Sequence, residues 1–543
     1  MQSSLSTRFA ASNKFFASWG ILSLLSILHI LFFDGYILKS PPVLQVQYIP
    51  DDAYYYLQLA KNFNGFGYWT FDSGFSMTSG FHLLQAYALA GIYWLFEPDS
   101  DRFVRLGLAW SSLLTVLLAV SVWFRGIQSK NLYLLTILAF ATTTPNFLFN
   151  SISITEWPLA ISLAIGYYFV FHSLLQSRRS PFPLMFIGFF LSLARSDSGL
   201  LPFSFFLASL LQHRRTGGRH TVITSSVGLI GAALGVLAMA AHNYIFTGEI
   251  LQSSARIKAH WSQFQGQLFY SSFSVLASIF GLDFGPAAFQ RSIYLLGLAI
   301  LLGPALLLIL GLKSRDEKIP LQIFRLNDES GHDILCALGA FLCLSGYLLF
   351  YTFNSGLQNW YTANLILPAV VLYVAAGQYL EKRILPKKNF IILWFSSAAL
   401  LTIGLNLYSL YPLDELHSPW PHQQAYHTAG LYLRQNPPGG RIGAWNAGIT
   451  GYYQGGQVIN LDGLVNNDIG KYIISNSLPD YLREKNIQYL IDFENMFHPP
   501  FTWRGGYQDV SFYGNLEIIR EFDHGQYPEW KFLRLYKLKE QTP

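Results

Sequence analysis

Two adjacent carboxylates, Asp51 and Asp52, open the stretch "DDAYYYLQLAKNFNGFGYWTFDSGFSMTSGFH", shortly after the first long apolar run of the chain. A carboxylate in such a place can deprotonate an acceptor hydroxyl, or hold a divalent cation beside a phosphate. Two like charges this close also oppose simultaneous ionisation, which raises one pKa toward a working range. A structural reading competes. Pro50 followed by Asp51 has the form of a helix start, with "DAYYYLQLAKNF" as the helix and Gly65 near its end. One aspartate then caps that helix and the other favours its positive N-terminal dipole. Other residues able to join such chemistry are scattered: His82, Glu156, Arg195 with Asp197, Arg256, Lys258, Trp360 and Tyr361. No zinc-ligand pattern, phosphate loop or nucleophile elbow occurs.

The elements that must bring these residues together are membrane helices. Of 543 residues 52% are hydrophobic and only 12% charged, half the share of about 25% usual in soluble domains. The formal charge of +5 is small for this length, and no nucleic-acid partner is expected. Cys336 and Cys343 lie two helical turns apart on one face, roughly 10 Å, too far for a bridge. Arg8 and Lys14 precede a long apolar segment without a small-residue cleavage site, which reads as an uncleaved first span. Candidate spans are 15–36, 103–124, 131–149, 156–175, 221–246, 291–312, 333–353, 360–380 and 389–411.

The loops fix the expected topology. "RGIQSK" (125–130), "QSRRS" (176–180), "HRRTGGRH" (213–220), "KSRDEK" (313–318) and "EKRILPKK" (381–388) are all basic, hence cytoplasmic. The segment 181–211 must then leave and return as two short helices turning near "ARSDSG" (194–199). "GFHLLQAYALAGIYWLF" (80–96) should lie on or dip into the outer face. About eleven spans result, with the N-terminus cytoplasmic and the C-terminus outside. Asp51, Asp52, Glu156, the 247–288 loop, "NSGLQNWY" (354–361) and everything after Tyr411 then share the extracytoplasmic side of a plasma (inner) membrane.

Beyond Tyr411 the chain turns polar. "RIGAWN" (441–446), "QVINLDG" (457–463), "IQYLIDF" (487–493), "LEIIREF" (516–522) and "WKFLRLYKL" (530–538) read as strands. "AYHTAGLYLRQN" (425–436) and "LPDYLREKN" (478–486) read as helices between them. The expected plan is an α-helical polytopic domain over 1–411, with a first outer loop at 37–102, and an extracytoplasmic α/β domain over 412–543. The Pro-rich "HSPWPHQQ" (417–424) is the expected hinge.

The pattern "DDAYYY…G.G..FD….TSG" resembles the first extracytoplasmic loop of GT-C class integral-membrane glycosyltransferases. It is closest to the arabinofuranosyltransferase-like members and more distant from protein mannosyltransferases and aminoarabinose transferases. "SITEWPL" (153–159), "LARSDSGLLP" (193–202), "GEILQSSARIKAHW" (248–261) and "IGAWNAGITGYYQGGQVINLDGLVN" (442–466) have family-like counterparts in the same order. Ser196 departs from the proline more usual in the "ARPD" patch, which affects the turn more than the charges.

The resemblance implies a polyprenyl-phosphate-linked sugar as donor and transfer outside the membrane onto a glycan, lipid or protein acceptor. Asp51 aligns with the family's catalytic aspartate, and Asp52 is either its orienting neighbour or the base itself. The donor phosphate calls for cations, so Arg195, Arg256, Lys258 and His82 are the candidate phosphate ligands. The bland alternatives pair Arg195 with Asp197 or Glu156 and leave Arg256 and Lys258 as solvated loop charges. Glu156 and Asp197 are supporting residues or ligands of a divalent cation such as Mg or Mn. Trp360 and Tyr361 are acceptor contacts or interfacial anchors. Trp445, Asn446 and Asp462 are further acceptor contacts, Asp462–Gly463 being otherwise only a turn.

Two other classes fit parts of the pattern. A transporter or flippase of lipid-linked saccharides would use internal repeats and a midplane site, but the 181–211 hairpin has no counterpart elsewhere and the acids gather at the outer face. A noncatalytic subunit of an envelope-assembly complex would tolerate asparagine at both Asp51 and Asp52.

Overall fold

The computed structural model describes residues 2–128, 135, 142, 144–177, 179–216, 219–263, 330–354, 359–383, 418–499, 501–503, 505–507, 511–523 and 532–539. Apolar runs dominate the first part and fold as helices, because only helices satisfy every backbone group within one segment in a bilayer. Four are long and apolar enough to cross: Gly20–Lys39, Ser100–Gln128, Trp157–Ser177 and Arg219–Thr247. Their outward side chains are apolar, as at Leu237 (63% exposed) and Ile245 (76%), which suits a lipid solvent. The chain is a helical membrane protein with a small C-terminal sheet. Four long spans, rather than eleven, stand among the described residues. The expected spans at 291–312 and 389–411, most of 131–149, the basic loop 313–318 and most of 381–388 lie outside them.

The hairpin forms as anticipated. Helix Phe182–Ala194, a 3-10 turn at Ser196–Gly199 and helix Leu200–Thr216 follow one another. Helix Phe182–Ala194 packs on Arg219–Thr247 across small residues. A Cβ on Gly235 would lie 2.5 Å from the Phe189 carbonyl oxygen and one on Gly188 2.5 Å from that of Gly228, so the backbones approach closely without a side chain between. Helix Leu83–Phe96 has 14 residues, roughly 21 Å, too short for a straight crossing of a core about 30 Å thick. It is held to helix Asp51–Phe66 by the Asn64 amide, which donates to the Ala90 carbonyl at 3.0 Å.

Helix Asp51–Phe66 ends as expected near Gly65, its penultimate residue, and is closed by Gly67, whose φ of 76° is the left-handed stop that glycine adopts freely; the expected cap is corrected. Its N-cap is Pro50, without a side-chain cap bond. Neither aspartate caps its own helix.

The C-terminal domain, termed the outer domain for the side of the membrane expected of it, contains a five-stranded sheet in the order β2–β1–β3–β5–β4, with β1 Arg441–Ala444, β2 Val458–Asn460, β3 Ile487–Phe493, β4 Leu516–Asp523 and β5 Phe532–Leu538. β1 runs parallel to both β2 and β3, while β5 is antiparallel to β3 and β4. All five runs read as strands are in the sheet. The chain leaves β1 toward β2 on one side and returns as β3 on the other. The direction of winding therefore reverses at β1, and a crevice opens at the carboxyl ends of the parallel strands. Helix Gly448–Gln454 follows β1, and Gly470–Ile474 and Leu478–Glu484 follow β2. The expected hinge is instead tied down. Ser418 donates to the Gln47 side chain at 3.0 Å, and the Trp420 N–H to its carbonyl at 3.1 Å.

Candidate functional site

The outer domain sits on helix Asp51–Phe66, and the tyrosine triplet there explains how. Successive helical residues project about 100° apart, so three neighbouring phenols reach three different surfaces. Tyr54 packs edge-on to Tyr452 with centroids 5.5 Å apart. Tyr55 donates to Asp462 at 3.1 Å and accepts from the Ala447 N–H at 3.3 Å and the Asn460 amide at 3.2 Å. Tyr56 donates to Glu156 at 2.9 Å and accepts from the His82 N–H at 3.2 Å.

A second clamp lies at Thr78–Ser79–Gly80. Ser79 receives the Ser253 N–H at 3.2 Å and gives its own N–H to Asn467 at 3.0 Å. Asn467 in turn donates to Glu249 at 2.8 Å. Gly80 is required here. A Cβ would run into the Leu464 carbonyl and lie 2.7 Å from Ser253 Oγ. The segment Thr78–Gly80, helix Ser253–Ser262 and the C-terminal domain thus meet at one point, bringing distant parts of the sequence together.

Two cavities open between these parts. One, of about 290 Å³, lies toward the membrane helices, lined by His82, Glu156, Arg195, Asp197, Arg256 and Tyr351 among others. The other, of about 260 Å³, lies toward the outer domain, lined by Trp261, Trp420, Tyr426, Trp445, Asn446 and Asp462 among others. Asp52, Tyr55, Lys258, Trp360, Tyr361 and Leu464 line both. They form the seam.

The two aspartates part company. Asp51 accepts the Gly448 N–H at 3.1 Å and the Ile449 N–H at 2.7 Å. It therefore caps a helix of the other domain. Burial pushes its pKa up to about 7 despite those bonds, with the Asp52 charge adding to the rise. Asp52 accepts no hydrogen bond among the described residues and faces both cavities. Burial raises its pKa, Lys258 opposes the rise and Glu156 adds to it.

Arg195 follows helix Phe182–Ala194 and is 2% exposed. Its guanidinium donates to Glu156 at 2.5 Å, to both Asp197 oxygens at 3.0 and 2.9 Å, and to Tyr351 at 3.0 Å. It pairs with both acids, and one N–H remains of the five a guanidinium carries. Tyr351 also donates to Asp197, as does the Asn364 amide at 3.0 Å. Arg256 is bound to Glu249 at 2.7 Å and to the Asn467 carbonyl at 3.2 Å. Lys258 donates to the Tyr361 hydroxyl. Burial works against its charge, but Tyr361 and Asp52 hold its pKa above the ordinary value.

His82 Nε2 stands 3.7 Å from Glu156, and its buried Nδ1 has no partner among the described residues. Burial pushes its pKa down, so the imidazole is neutral. Burial alone would raise Glu156; His82 and Arg195 hold it below the usual range, and with His82 neutral the guanidinium does most of this. Trp360 and Tyr361 line both cavities rather than only anchoring a helix, and Arg195 stacks on the Tyr361 ring at 4.8 Å. Asp462 is more than a turn residue. Burial pushes its pKa up to about 8 while it accepts from Leu464 N–H and Tyr55. Among the described residues no three His, Cys, Asp or Glu side chains group as metal ligands. Glu156 and Asp197 already hold Arg195, so these two carboxylates do not fit a divalent cation while the guanidinium is in place.

Tyr55, Tyr56, Tyr351 and Asn364 escaped the sequence reading, as did Gln252, which lines the inner cavity, donates to the Phe81 carbonyl at 2.6 Å and accepts from Ser196 at 3.0 Å. The unbroken "YYY" after two acids is the one signal that could have found the first pair. Residues 414–536 match a sequence family described as a domain of unknown function (DUF8728). No curated protein matches the chain.

Proposed function

We propose that the chain is a GT-C-like membrane glycosyltransferase with about eleven spans, its outer domain extracytoplasmic and its membrane the plasma (inner) membrane. It moves a sugar from a polyprenyl-phosphate donor to an acceptor hydroxyl outside the bilayer, with Asp52 as general base. The observation that carries this reading is the uncommitted Asp52 carboxylate at the seam of two cavities, one walled by membrane helices and one by the outer domain. Asp52 takes the acceptor proton. The acceptor oxygen then bonds to the anomeric carbon, and the bond from that carbon to the phosphate oxygen breaks, its electron pair leaving with the lipid phosphate. Lys258, the free N–H of Arg195 and neutral His82 face the phosphate as that charge develops. Arg256 lines the same cavity; Glu249 and the Asn467 carbonyl take two of its five N–H groups and its buried Nε–H has no partner among the described residues, so it is a further candidate for the phosphate.

Asp51 is less suited to the role because backbone N–H groups occupy its oxygens. The test is transfer by purified protein from a panel of radiolabelled polyprenyl-phosphate sugars, wild type beside Asp51→Asn and Asp52→Asn. Asp52→Asn should lose roughly 10²–10⁴ in rate, while Asp51→Asn stays within about tenfold of wild type, having lost no proton transfer. Wild-type turnover in Asp52→Asn, or no binding or turnover of any donor by the wild type, would overturn the reading.

A further inference from the structure

The crevice at the carboxyl ends of β1, β2 and β3 lies where ligands bind in open α/β sheets, at the point where the winding reverses. In this chain it is roofed by the membrane domain. Trp445 and Asn446 follow β1, Asp462 and Leu464 follow β2, and Met496 follows β3; all five line the outer cavity. Two kinds of side chain dominate the walls. Trp261, Trp360, Trp420 and Trp445 give flat apolar faces, and Asp51, Asp52 and Asp462 give hydrogen-bond acceptors. Lys258 is the one lysine or arginine among the described lining residues, and Tyr361 already holds it. The indole N–H of Trp445, 1% exposed, is buried without an acceptor among the described residues.

We infer that this crevice binds a neutral sugar ring, so that the acceptor is a glycan or glycoside rather than a peptide or an acidic saccharide. A sugar presents C–H faces to tryptophan and hydroxyl donors to carboxylates. Its volume of about 260 Å³ is at the small end for ligand sites, which suits one ring with the rest of the glycan outside. A uronic acid or phosphorylated sugar would bring its charge against Asp52, and against Asp51 and Asp462 as they ionise above about pH 7 and pH 8, with one engaged cation to offset it. That juxtaposition is expected to weaken binding by roughly 100-fold or more. The assignment rests on the transferase reading for the word acceptor, but the sugar site itself does not.

The experiment is equilibrium binding to the full chain in detergent, read by tryptophan fluorescence and by ligand-observed NMR. The probes are neutral methyl hexosides and methyl arabinofuranoside, methyl glucuronide, and a short uncharged peptide. Polyprenyl phosphate is titrated in parallel. At least one neutral glycoside should bind saturably, with glucuronide and peptide at least tenfold weaker. Trp420→Ala and Asn446→Ala should each weaken the glycoside at least tenfold and leave polyprenyl-phosphate binding unchanged, since neither residue lines the inner cavity. Tighter binding of glucuronide or peptide, no glycoside binding while the lipid binds, or equal glycoside affinity in both variants would overturn the inference. Glycoside binding without lipid binding would leave the sugar site standing and remove the transferase reading instead.

Discussion

Replacing Asp51 by asparagine should separate docking from chemistry, and the expected size follows from its surroundings. Folded Asp51 has a pKa of about 7 against an ordinary 3.8. Between those values the folded state keeps a proton that the unfolded state has released. Stability from this group is therefore full below pH 3.8, falls as pH rises toward 7, and is flat above. The difference, 7 minus 3.8, is about 3 units, or about 4 kcal/mol at 1.36 kcal/mol per unit. The carboxylate edge reaches the outer cavity, and solvent screening there leaves about 2 to 4 kcal/mol.

Asparagine is isosteric, does not titrate, and keeps one oxygen for the Gly448 and Ile449 N–H groups. The loss of one such bond costs about 1 kcal/mol. The assay is thermal unfolding in detergent at pH 5.5 and pH 8.5, wild type beside Asp51→Asn. Wild type should lose more stability on going to the higher pH. The variant should be slightly weaker at pH 5.5, and equal to or more stable than wild type at pH 8.5. Groups shared by both proteins, Asp462 among them, cancel in the comparison. Identical pH slopes in the two proteins would refute the assignment of Asp51 as a buried, proton-holding tether.

Arg195→Gln leaves Glu156 and Asp197 buried without their cation and should cost about 3–5 kcal/mol; Arg195→Lys should recover only part, since an ammonium cannot reproduce the fork. Wild-type thermal stability in Arg195→Gln would rule this out. Gly80→Ala drives a methyl into the Leu464 carbonyl and should weaken docking by about 1–3 kcal/mol, seen as faster protease release of the outer domain. Gly91→Ala, where a Cβ meets nothing within 4 Å, is the control, and equal cleavage rates in the two variants would contradict the described contact.

Local features were legible in the sequence to the extent that their causes are local. The five strands announced themselves because β-branched and aromatic runs alternate between turn residues. The hairpin at 182–216 was forced by basic loops on both flanks. Proximity of the patches containing Thr78–Gly80, Glu156, Arg195 and Lys258 followed from their common side. The identity of the free carboxylate did not. Asp51 is held by backbone N–H groups 397 and 398 residues away, and a backbone amide leaves no mark on the sequence. Arg256 and Glu249 are seven residues apart in one loop, a pairing that helix spacing does not suggest. Helix Gly448–Gln454 has seven residues with two glycines, too short for a periodic signal. Its start is stabilised by a side chain from the far end of the chain.

The dependence of the seam on residues from both ends of the chain bears on how the protein comes into being. The inner wall is translated first and inserted with the helices, while Trp445, Asp462 and Met496 emerge last. Until the sheet has folded and Asp51 has engaged Gly448, the inner cavity lacks its cover at Leu464 and Val465. A chain stopped before the sheet therefore carries the cations and carboxylates of the inner wall without an enclosed cavity around them, and the cavity closes only when the last-made part of the described chain docks.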